Sequence, residues 1–273
     1  MKISNAYLFL VFLGLILFSC EKKELPETEI NTEPNIISQV FYTAEGTNYI
    51  SYAAYLENSE QKMPVVMIIP EWWGLNDYVK SRAQQLAEMG YFAMAVDFYG
   101  KGQIAETPEE AQNLAMPFYE NPELAKKAFD AAKKKLNDFP NADTSKIAVI
   151  GYCFGGAQAL NMARQDASLK GVASFHGNLM TGVKPNNNSV KMLVLNGEAD
   201  EFVPKEEIKA FKSEMDSAKI DYKFIDYPGA LHAFTNPGAT EMGEKFDMKI
   251  AYNKEADEKS WNELKSFLNK IFK

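Results

Sequence analysis

From residue 36 onward, short apolar runs alternate with stretches of helical spacing, and this alternation leaves few architectures open. Val65-Val66-Met67-Ile68-Ile69 is an unbroken apolar run, the pattern of a strand buried on both faces. Residues 91–96, 146–150, 171–175, 191–195 and 222–226 read as further strands. Residues 76–89, 108–118, 122–139, 157–164, 206–218 and 252–272 read as helices. Within 76–89, Val79, Ala83, Leu86 and Ala87 share one side, and Gly90 closes the segment. Residues 36–43 and 48–56 alternate with period two and predict an antiparallel pair ahead of the rest. The fold class that follows is α/β, a mostly parallel central sheet with helices on both faces, in one domain over 36–273. In such sheets chemistry gathers at the carboxyl ends of the strands.

Residues 1–35 have a different character. Met1-Lys2 is a basic start, and residues 7–18 form an apolar run of signal-peptide length, short for a membrane span. It ends in Leu17-Phe18-Ser19-Cys20, which resembles the lipobox of bacterial lipoproteins. The resemblance implies a signal peptide over 1–19 and lipidation of Cys20. Residues 20–35 are polar, charged and carry two prolines, so they predict a flexible tether reaching about 20 Å. The expectation is a domain on the bacterial cell envelope, held to the membrane through an N-terminal lipid only.

Composition narrows the chemistry. There are 29 Lys+Arg against 37 Asp+Glu, a net charge of −8, which argues against a nucleic-acid partner. Two cysteines and two histidines cannot supply a disulfide framework, a Cys-rich zinc site or a multi-His metal centre. No metal or other cofactor is expected.

The strand at 146–150 is followed by Gly151-Tyr152-Cys153-Phe154-Gly155-Gly156 and a helix. This is the strand–turn–helix setting of a nucleophile elbow, G-x-S-x-G, with Cys153 in the serine position. Glycines are needed because side chains beside so sharp a turn would meet strand and helix. The helix start brings its positive end to the sulfur and favours negative charge there. An inert buried cysteine in a glycine-rich turn is the alternative reading. The loop after 191–195 carries Glu198, Asp200 and Glu201, and the loop after 222–226 carries His232. Cys153, Asp200 and His232 thus occur in the order nucleophile, acid, base. Asp200 would orient the imidazole and His232 would handle the thiol proton. Glu198 and Glu201 are rival acids. His176 falls ahead of the acid; it either lines the pocket or is structural.

Together these residues resemble the dienelactone hydrolases, within the α/β-hydrolase fold. The likeness rests on Ile69 to Asn76 (IPEWWGLN), Gly151 to Gly156, Gly197 to Pro204, Pro228 to Pro237 (PGALHAFTNP) and the run from Ala251 to Trp261. It implies that Glu71 sits near the sulfur and helps control its ionisation. It implies an oxyanion hole made by the backbone N–H groups of Trp72 and Phe154. Family members that open carboxylate-bearing dienelactones use two arginines; Lys101 and Asn236 stand at those positions here. Lys is no substitute for a bidentate Arg. Trp72, Trp73, Phe154 and Phe234 suggest an apolar or ring-stacking pocket, with Trp73, Lys101, Phe234 and Asn236 as its substrate contacts. The activity expected is hydrolysis of a small-molecule carboxylic ester or lactone through a thioester acyl-enzyme. The alternatives are an inactive lipid-anchored binding protein on the same fold and a true carboxymethylenebutenolidase.

Overall fold

The computed structural model describes residues 35–57, 59–185 and 189–273. The N-terminal segment with Cys20 lies outside the described residues. Strand β1 (Asn35–Ala44) pairs along its length with antiparallel β2 (Thr47–Leu56). The two-residue turn between them, Glu45-Gly46, has φ of 48° and 79°, as a tight hairpin of primed type requires. The remaining strands are β3 (Met63–Ile69), β4 (Phe92–Ala95), β5 (Ala142–Tyr152), β6 (Gly171–Phe175), β7 (Lys191–Gly197) and β8 (Tyr222–Tyr227). They join one sheet in the order β1-β2-β4-β3-β5-β6-β7-β8. β2 runs antiparallel to β4, and from β4 onward every neighbour is parallel.

Among the described residues seven α-helices flank the sheet: α1 (Asp77–Glu88), α2 (Pro108–Glu120), α3 (Pro122–Lys135), α4 (Phe154–Gln165), α5 (Lys205–Ser217), α6 (Ala239–Phe246) and α7 (Lys254–Phe272). The unbroken apolar run of β3 has a direct cause. Successive side chains leave a strand on opposite faces, and here both faces are covered. Val65, Met67 and Ile69 enter a core closed by Phe129 of α3, Leu160 of α4 and Phe211 of α5. Val66 and Ile68 enter a second core with Leu86 of α1 and Leu264 and Leu268 of α7. Asn76 caps α1 by accepting from the Val79 N–H, and Val79, Ala83, Leu86 and Ala87 are its buried face. The helix expected through residue 139 ends instead at Lys135 and continues as a 3₁₀ turn, Leu136–Asp138. α6 was not anticipated. It has only eight residues, two of them buried, and Phe246 at its end stacks on Trp73 at 6.0 Å. Tertiary packing holds it where local pattern is weak. Among the described residues no helix is long and apolar enough to cross a membrane.

Candidate active site

Cys153 stands between β5 and α4 with φ 53° and ψ −117°, a region that side-chain-bearing residues rarely occupy. Such a conformation costs on the order of 1–3 kcal/mol and persists only where the surroundings over-determine it. They do so here. The Cys153 N–H donates to Phe175 O at 3.0 Å and to His176 Nδ1 at 3.1 Å. A Cβ on Gly151 would lie 1.9 Å from Gly155 O, and one on Gly155 would lie 2.1 Å from Ile69 O and 2.5 Å from Pro70 O. The first turn of α4 therefore rests directly on the carboxyl end of β3. His176 and Ala233, at φ 41° and 58°, also hold left-handed backbone beside the elbow and beside His232.

His232 Nδ1 meets Asp200 Oδ2 at 2.8 Å, and the ring lines the same cleft as the Cys153 sulfur. Asp200 is buried, and its Oδ1 accepts from the Phe202 N–H at 2.8 Å, which orients the carboxylate. The rival acids are placed elsewhere. Glu198 is exposed, and Glu201 pairs with Lys249 at 2.6 Å on the surface. Burial alone would lower the affinity of His232 for a proton. The facing Cys153 and the Asp200 carboxylate outweigh it and push His232 up to about 10. The ring therefore holds its proton through neutral pH while it faces the sulfur.

His176 is fully buried below this pair, its ring 5.2 Å from that of His232. Because its Nδ1 accepts from the Cys153 N–H, its Nε2 carries the hydrogen and donates to Thr235 Oγ1 at 2.8 Å. Burial, with His232 close by, holds this imidazole well below the usual histidine range. His176 is thus a satisfied, neutral histidine that supports the elbow, and it does not line the cleft. Thr235 in turn bonds the Tyr78 hydroxyl at 2.7 Å. That link was not visible in sequence.

Glu71 follows β3 and is 2% exposed, and it lines the same cleft as Cys153 and His232. Its Oε2 accepts from Asn236 Nδ2 at 2.7 Å. Burial pushes the carboxyl up to about 7, against the opposing pulls of Asn236 and His232. From about pH 4.5 to 7 the folded chain thus keeps a proton that the unfolded chain has released, so this group lowers stability as pH rises. Glu71→Gln should gain on the order of 3 kcal/mol relative to the parent between pH 4.5 and pH 8, in urea unfolding at the two pH values. An unchanged difference would mean that Glu71 ionises freely.

Neither the Trp72 nor the Phe154 N–H has an acceptor among the described residues. Phe154 opens α4, so its N–H has no intrahelical partner. The Tyr99 hydroxyl holds Trp72 O at 3.0 Å and fixes that peptide. The cleft is ≈ 250 Å³ and includes Glu71, Trp72, Trp73, Cys153 and His232 on its wall. α2 supplies Gln112, Ala115, Met116 and Tyr119, and the loops supply Asn178, Phe202, Met248 and Ile250. Sequence reading missed these. Gln112, Met116 and Tyr119 at i, i+4 and i+7 are one helix face, and that spacing was a usable signal.

Three residues expected at the substrate are elsewhere. Lys101 is exposed, outside the cleft, in a turn wound around the Asp97 carboxylate, which accepts from Ile50, Gly100 and Gly102 N–H at 2.8 Å each. Phe234 is fully buried under His176 and against Tyr227. Asn236 is buried and engaged with Glu71. The side chain of Phe154 is likewise buried, among Phe98, Tyr99, Phe118 and Tyr119, although its backbone faces the elbow. No group of three or more His, Cys, Asp or Glu side chains suited to a metal occurs among the described residues.

Comparison with known proteins agrees with this architecture. Residues 52–272 match the dienelactone hydrolase family. An Aquifex aeolicus protein named "Putative carboxymethylenebutenolidase" is 28% identical over 231 residues, covering 81% of this chain and 96% of that protein. A Saccharolobus solfataricus protein of the same name is 28% identical over 272 residues, covering 86% and 99%. The crystal structure of a dienelactone hydrolase-like promiscuous phosphotriesterase from metagenomic libraries superposes with a TM-score of 0.79 at 30% identity, covering 87% of this chain and 98% of that one. With the eight-stranded sheet and the strand–turn–helix elbow already in place, the match leads to one assignment: the chain belongs to the dienelactone hydrolase family, has the α/β-hydrolase fold, and is a hydrolase acting on ester bonds.

Proposed function

We propose that the chain hydrolyses carboxylic esters or lactones with Cys153 as nucleophile, His232 as acid and base, and Asp200 as the group that orients His232. The observation that carries this reading is the His232 ring, held by Asp200 at 2.8 Å on Nδ1 and lining the same cleft as the Cys153 sulfur. The sulfur, paired with the protonated ring, attacks the carbonyl carbon. The carbonyl electron pair moves to oxygen, and the N–H groups of Trp72 and Phe154 stabilise that oxyanion. A fixed donor of this kind is worth roughly 3–4 kcal/mol in the transition state. Collapse expels the alkoxide, which takes the proton from His232 and leaves a thioester on Cys153. Neutral His232 then takes a proton from water as the water attacks the thioester carbon. The sulfur leaves with the electron pair and the acid is released, which restores the pair of sulfur and protonated ring. Glu71 shapes the field around His232 from the opposite wall of the cleft.

The test is trapping. A rapid acid quench during turnover of a p-nitrophenyl ester, followed by mass spectrometry of the peptides, should show the acyl mass on the Cys153 peptide. Turnover with the acyl group on another residue, or persisting in Cys153→Ala, would overturn the reading.

A further inference from the structure

Apart from His232, the cleft that holds the sulfur has no cationic side chain in its wall. Its ionisable side chains are Glu71, Tyr119, Cys153 and His232; no Lys or Arg is among the lining residues. The charge on His232 is already matched by the Asp200 carboxylate at 2.8 Å. The buried Arg82 has its guanidinium committed to Asp257, Gln85 and Thr235 O. Lys101 lies outside, and Asn236 is occupied by Glu71. What remains is apolar apart from the neutral amides of Gln112 and Asn178, and Met116 and Phe202 expose 39% and 47% of their surface.

A carboxylate entering this space would lose hydration among tryptophan, methionine and phenylalanine side chains with no countercharge to replace it. It would also meet Glu71, which becomes anionic as pH passes about 7. A neutral alkyl or aryl chain meets neither penalty and removes apolar surface from water. We propose that the cleft selects uncharged esters with an apolar acyl chain and rejects esters that bear a second carboxylate. This rests on the hydrolase reading above. Gln112 and Met116, successive members of one face of α2, then set specificity from the wall. Gln112 is exposed, so the helix tolerates a longer side chain there.

Two esters with one leaving group decide the matter: p-nitrophenyl hexanoate and mono-p-nitrophenyl adipate, compared at pH 8. The parent should favour the hexanoate in kcat/KM by about 100-fold or more, the consequence of burying an unpaired carboxylate. Gln112→Arg supplies the missing countercharge and should shift the adipate-to-hexanoate ratio of kcat/KM about tenfold toward the adipate. Equal rates on the two esters in the parent, or a preference for the adipate, would overturn charge selection and leave the hydrolase reading standing. Failure to turn over either ester, with Cys153 unacylated, would overturn both.

Discussion

Cys153→Ala will lower kcat for a p-nitrophenyl ester by about four orders of magnitude or more, and Asp200→Asn by about 10⁴. The two losses have different origins. On the proposed mechanism no thioester forms without the sulfur, and the N–H groups of Trp72 and Phe154 are left to catalyse direct attack by water. With Asn at 200 the sulfur remains, but the partner of His232 Nδ1 loses its charge. The 2.8 Å contact then no longer helps to hold the ring protonated against the sulfur. The two changes will not add, because both disable one unit: Cys153→Ala/Asp200→Asn should be about as slow as Cys153→Ala alone. Steady-state kinetics on the three variants, with thermal unfolding to verify the fold, checks this. Additive losses, or turnover in Cys153→Ala within tenfold of the parent, would break the assignment.

Gly155→Ala will destabilise the domain by about 3 kcal/mol or more, and so lower Tm by roughly 6–12 °C. The added methyl would sit 2.1 Å from Ile69 O and 2.5 Å from Pro70 O, both backbone atoms of the sheet. No side-chain rotation relieves that contact, so α4 must retreat from β3. Retreat separates the Phe154 N–H from the Trp72 N–H, because one rides on α4 and the other follows β3. Surviving folded enzyme should therefore have a lower kcat at little-changed KM, since the oxyanion exists only on the reaction path. Calorimetry and kinetics on the variant test both parts. A Tm within 2 °C of the parent would show that the helix start does not rest on β3 as described.

Much of this was legible before the structure, and the reason is locality. A strand buried on both faces must be largely apolar, so β3, β4, β7 and the second half of β5 announce themselves as runs. A sharp strand-to-helix turn excludes side chains from its neighbours, so Gly151 and Gly155 mark the elbow around Cys153. The order of Asp200 and His232 after their strands follows from the same topology. Where reading failed, contact across the fold was at issue. Phe234 is two residues from His232 in sequence, yet φ of 58° at Ala233 turns the chain and sends Phe234 into the core. Lys101 belongs to a turn organised by Asp97 and β2, which keeps it on the surface. α6 has too little buried face to be recognised without Trp73 to pack on.

The chain alone therefore determined the layered α/β plan, the sharp turn at Cys153 and the placing of Asp200 and His232 after later strands, because each depends on local sterics or on burial pattern along one element. Tertiary structure decided which of three carboxylates in one loop meets His232, that Asn236 serves Glu71, that His176 supports the Cys153 N–H, and that α2 closes a cleft without Lys or Arg in its wall. Those outcomes depend on groups that meet from 23 residues apart, in the case of His176 and the Cys153 N–H, to 165 apart, in the case of Glu71 and Asn236. No periodicity along the chain encodes a distance across it; only the packed sheet brings such atoms within reach of one another.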